Sequence, residues 1–148
     1  MKLAKALKLK NQLAGEVTQL KELLAKQNVR SSKQKFDYDN REVLTRLRAK
    51  LDELIKVKAA VAAANAEIYD KIFRLAELKG LVATLTSLDT KAGVFHEGGR
   101  FGEPGYEVEY VAQLGKVDVD KLVAELQNEI QTLQDVLDEF NFTRSVNE

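Results

Sequence analysis

Apolar residues recur in alternating three- and four-residue steps along most of this chain. Leu3, Ala6, Leu13, Val17, Leu20 and Leu24 keep that rhythm, with Lys10 in the one vacant step. The pattern predicts a helix over residues 2–28 whose narrow apolar seam must face another helix, since a broad polar face cannot stabilise it alone. Residues 29–38 carry Ser31-Ser32 and no apolar period, and read as a loop.

The next helix has a clear start. Asp39 is placed as an N-cap, Glu42 as its capping-box partner three residues on, and Tyr38 and Val43 as a hydrophobic staple. From there Leu44, Leu47, Leu51, Leu54, Val61, Ile68, Ile72, Leu75 and Val82 continue the alternating step, with Lys58, Asn65 and Lys79 as polar positions in it. No proline interrupts the run and no glycine precedes Gly80, so the simplest expectation is one helix over residues 40–88, roughly 70 Å long at 1.5 Å per residue. The alternative is a break near Asn65, where six alanines within residues 59–66 leave small side chains on the seam and packing thin, or admit another helix closely.

Residues 93–115 change period. Val94-Phe95-His96-Glu97 forms a short strand candidate, and in residues 106–114 Tyr106, Val108, Tyr110, Ala112 and Leu114 alternate with Glu107, Glu109, Val111 and Gln113. Between them lies a glycine-rich turn with the chain's single proline. The expected β-hairpin has one aromatic, apolar face that must be covered by something, because an isolated hairpin is only marginally stable. Asp118 then reads as the N-cap of a last helix over 118–141, with Leu122, Leu126, Ile130, Leu133, Leu137 and Phe140 as its buried stripe and residues 142–148 as a frayed or docking tail. The fold class is therefore mainly α, with long antiparallel coiled-coil-like helices or a helical bundle carrying a hairpin insertion. A length of 148 residues suits one domain.

Charge adds asymmetry. The net charge is zero, but residues 1–74 hold 17 Lys and Arg against 9 Asp and Glu, and residues 75–148 hold 6 against 14. Complementary halves favour folding back or association between copies, and a basic half admits an anionic partner as the alternative. On the first helix Lys2, Lys5 and Lys8 form one basic stripe, a candidate contact for nucleic acid or lipid headgroups. The lysine-rich first residues contain no apolar core for a signal peptide, no window is long and apolar enough for a transmembrane helix, and cysteine is absent, which together predict a cytoplasmic protein.

Candidate chemistry is sparse. His96 is the only histidine, beside Glu97 and near Arg100 and Glu103, and lacks the orienting partner a general base requires. The helices hold no Glu-x-x-His pair for a carboxylate metal site, and Gly98-Gly99-Arg100-Phe101-Gly102 lacks the lysine and hydroxyl steps of a phosphate loop. No enzyme activity, metal or cofactor is expected.

The opening Met1-Lys2-Leu3-Ala4, the leucine-rich first helix, the segment around Asn65, and Val117-Asp118-Val119 leading to a leucine-patterned helix that ends at Phe140-Asn141 together resemble an uncharacterised bacterial helical family, some members of which are labelled septicolysin. The label implies a pore-forming toxin, which the composition does not support, and no functional residue follows from the resemblance. Helical arms around a hairpin also resemble the architecture of prefoldin subunits. The expectation is thus a structural or interaction protein that self-associates or binds a protein partner, with Phe95, Tyr106, Val108 and Tyr110 at the interface.

Overall fold

The computed structural model describes residues 1–147 and is mainly α, with a single hairpin: α1 (Leu3–Lys26), α2 (Asn40–Asn65), α3 (Tyr69–Thr86), β1 (Gly93–Gly98), a 3-10 turn (Arg100–Gly102), β2 (Gly105–Tyr110) and α4 (Lys116–Thr143). The chain packs as two units, one formed by Met1–Tyr69 with Leu137–Glu148 and the other by Asp70–Val136.

In the first unit, α1 and α2 are antiparallel and share the predicted seam. Leu13, Val17 and Leu20 meet Val43, Leu47 and Leu54 in one apolar cluster; Leu3 and Ala6 meet Val61, Ala64 and Val146 in a second. Leu44, predicted on the seam, is exposed and Val43 is buried in its place, as the staple position beside Tyr38 requires. The alanine run has a packing role, because Ala60 and Ala64 leave room for the C-terminal segment beside α1.

The loop joining the helices is held by its own polar groups. The last carbonyls of a helix have no partner within it. Here Tyr38 donates its hydroxyl to the Leu23 carbonyl at 2.6 Å and the Asn40 amide donates to the Leu24 carbonyl at 2.8 Å. Asp39 caps α2 as expected, accepting from the Arg41 amide at 2.8 Å.

The single helix expected over residues 40–88 is interrupted, at the place near Asn65 where the alternative put the break. The Ala66 and Ile68 amides bond to the carbonyls of Ala63 and Asn65, three residues back rather than four, at 3.3 and 2.9 Å. Asn65 favours such local alternatives to the α-helical ladder, and the alanines around it supply few large side chains to hold the regular spacing. Burial nonetheless continues through Leu47, Leu54, Val61, Ile68 and Leu75, seven residues apart each time.

In α4 the stripe is Val119, Val123, Leu126, Ile130, Leu133, Leu137 and Phe140, a strict alternation of four and three. Leu122, predicted on it, is exposed. The helix begins two residues earlier than expected, so Asp118 sits in its first turn and accepts from the Gly115 amide at 3.3 Å instead of being the N-cap. The tail docks: Val146 is buried, its amide bonds to the Met1 carbonyl at 2.8 Å, and Arg144 bonds to Glu67 at 2.6 Å.

Candidate functional site

The hairpin brings the four aromatic and apolar residues singled out above onto one face. Antiparallel register pairs Gly93 with Tyr110, Phe95 with Val108 and Glu97 with Tyr106. Side chains alternate across a strand, so Phe95, Tyr106, Val108 and Tyr110 share a face with Glu97, while Val94, His96, Glu107 and Glu109 occupy the other. The second strand stops at Tyr110, short of the predicted Leu114, because β1 ends opposite it at Gly93 and offers no further ladder partner.

At the base of this face lies a cluster that sequence reading missed. Lys91 places its ammonium 4.4 Å from the centre of the Phe95 ring and 4.2 Å from that of Tyr110, and 3.3 Å from the Glu97 carboxylate. The two rings meet edge to face at 5.8 Å, and the Tyr110 hydroxyl donates a short hydrogen bond to Glu97. That bond, with Lys91 adding to it, holds the Glu97 carboxyl below the usual carboxylate range against an opposing cost of desolvation. The same bond pushes the Tyr110 phenol up, and desolvation and the carboxylate charge push it further. Lys91 precedes the strand and its role follows only from the register, which the sequence does not specify.

The cluster covers the base alone. Tyr106 remains 59% exposed and Phe95 39%. The turn beyond them uses glycine where the backbone is left-handed, at Gly98, Gly99 and Gly102, but Phe101 adopts φ +58° as well, a conformation unfavourable for a bulky side chain. Its ring is fully exposed. The signal available in the sequence was a large apolar residue inside a glycine-rich turn.

His96 stands on the opposite face, with Nδ1 4.0 Å from the Glu107 carboxylate and both side chains largely in solvent. Among the described residues, no group of three or more His, Asp or Glu is placed to hold a metal, and no helix is long and apolar enough to cross a membrane. The three lysines of the basic stripe separate in role. Lys2 donates to the Thr143 carbonyl at 2.8 Å and so caps the end of α4, whereas Lys5 and Lys8 are exposed on α1.

The two units differ in how well they cover their apolar residues. Both apolar clusters lie in the first unit. In the second, only Leu75, Leu78 and Val119 are buried, while Leu81, Leu88, Val94, Val111 and Leu122 are exposed along with Phe95, Phe101 and Tyr106 of the hairpin. By sequence the first unit carries 16 Lys and Arg against 11 Asp and Glu, and the second 7 against 12. No protein-family model, curated protein or solved structure matches this chain, and the resemblance to the septicolysin-labelled family rests on its sequence residues alone.

Proposed function

We propose that this chain is a non-enzymatic, self-associating scaffold of the cytoplasm, with the β-hairpin at the interface between copies. The observation that carries the reading is the sparse burial in the hairpin-bearing unit, which leaves an aromatic face and helical apolar residues in water. Exposed aromatic and apolar side chains in such number are characteristic of interaction sites, and a two-stranded sheet has both outer edges free for pairing. Opposite net charges on the two units supply long-range attraction between copies. Light scattering on a size-exclusion column at micromolar concentration tests the proposal. A mass that is a multiple of 16.6 kDa is the expected result. A strictly monomeric particle overturns it.

A second reading, binding to nucleic acid or an anionic surface, is favoured by the excess positive charge of the first unit and by exposed Lys5 and Lys8. A salt-dependent gel shift or liposome pull-down abolished by Lys5→Glu with Lys8→Glu supports it; no retention at low salt removes it.

A further inference from the structure

The first unit contains an apolar groove of about 250 Å³ between α1, α2 and the docked C-terminal segment, lined by Leu9, Leu13, Val57, Ala60 and Val146. Two exposed side chains of opposite charge on α2, Glu53 and Lys56, also border it. An apolar concavity of this size accepts a single aromatic side chain and gains free energy when water leaves it.

The hairpin tip presents a matching group. Phe101 is fully exposed and held at positive φ, so the turn spends conformational free energy to display an aromatic ring with no apolar neighbour around it. Arg100 and Glu103 flank it, a cation and an anion within one turn, which mirror Glu53 and Lys56 at the groove. The units that carry groove and tip have opposite net charge.

We propose that self-association seats Phe101 of one copy in this groove on a second copy, with Arg100 meeting Glu53 and Glu103 meeting Lys56. The inference rests on the scaffold reading above and names the contact that joins the copies. Each copy offers one tip and one groove, so the contact either closes as a reciprocal pair or a ring, or continues as a filament.

The chain contains no tryptophan, so Phe101→Trp creates a single fluorescent reporter at the tip. Its emission is expected to move from the water-exposed to the apolar range as concentration rises through association followed by light scattering. A reporter that stays exposed in the oligomer overturns the proposal. So does one already shielded in the monomer, which would place the ring on its own chain.

Phe101→Asn, which tolerates positive φ, and Ala60→Leu, which fills the groove, are each expected to weaken association at least about ten-fold. Mixing the two variant chains should yield a two-chain complex, because one retains the groove and the other the tip. Where Ala60→Leu lowers helicity by circular dichroism, exposed Lys56→Glu replaces it, with restoration by Glu103→Lys as the expected result. Association untouched by these changes, or variants that neither complement nor rescue, overturns the contact while leaving the scaffold reading intact. A monomeric wild-type chain overturns the scaffold reading itself.

Discussion

The Leu3 amide donates to the Arg144 carbonyl at 2.8 Å, and through this bond the first turn of α1 and the segment after α4 complete each other. The first amides of one helix and the carbonyls beyond another both lack partners within their own helices. Lys2 adds its ammonium to the Thr143 carbonyl, and Val146 fills the apolar space beside Leu3 and Ala6.

Val146→Ala removes two buried methyl groups from this junction and is expected to destabilise the first unit by about 2 kcal/mol, read as a lower urea midpoint at unchanged slope. Val29→Ala, in the exposed loop, should stay within about 0.5 kcal/mol of the parent chain. Equal effects at the two positions would mean that the tail does not dock.

The basic stripe divides under substitution. Lys2→Ala deletes a charge-assisted bond at a helix end and is expected to cost about 0.5–1 kcal/mol. Lys5→Ala and Lys8→Ala should change thermal stability little, since both side chains are exposed. Differential scanning calorimetry of the three variants decides whether Lys2 belongs to the fold or to a binding surface.

Glu97 and Tyr110 set a pH window for the hairpin. The Glu97 carboxyl is lowered by the Tyr110 hydroxyl and by Lys91, so its contribution is present above the ordinary carboxylate value of about 4.3 and is lost as pH falls through its lower folded value. The Tyr110 phenol is raised, so its contribution is present below about 10 and is lost as pH rises through its higher folded value. In a carbon-detected NMR titration, Tyr110→Phe should bring the Glu97 carboxyl up toward the ordinary range. No change would show that the hydroxyl is not its partner.

Phe101→Gly relieves a left-handed conformation worth roughly 1 kcal/mol, offset in part by the greater freedom of glycine in the unfolded chain. At concentrations below association, the variant's melting temperature should equal or exceed that of the parent. A clear loss of stability would mean that the ring packs within its own chain.

Hydrogen exchange should separate the units. Amides of α1 and α2, backed by two apolar clusters, are expected to exchange slowly at every protein concentration. Those of β1 and β2 should exchange fast in dilute solution and slow markedly as copies associate. Protection of the strands that is independent of concentration contradicts an interface there.

Local chemistry made much of this architecture legible. The seam of α1, the Asp39 cap, the switch to period two at the hairpin and the shared face of Tyr106, Val108 and Tyr110 all follow from side-chain spacing, because helix and strand periods are properties of the backbone itself, whereas only the register adds Phe95 to that face. Tertiary structure decided the rest, for reasons that spacing does not encode. Several positions one residue apart compete for the same face, so only the facing helix chooses Val43 over Leu44, and burial places Val123 rather than Leu122 on the α4 stripe. Spacing admitted both one continuous helix and a break near Asn65, and the hydrogen bonds of Ala66 and Ile68 decide for the break. Lys91 over two rings, Lys2 on the Thr143 carbonyl and the apolar groove beside Val146 each join residues far apart in sequence or on different strands, and such contacts exist only once the chain has folded.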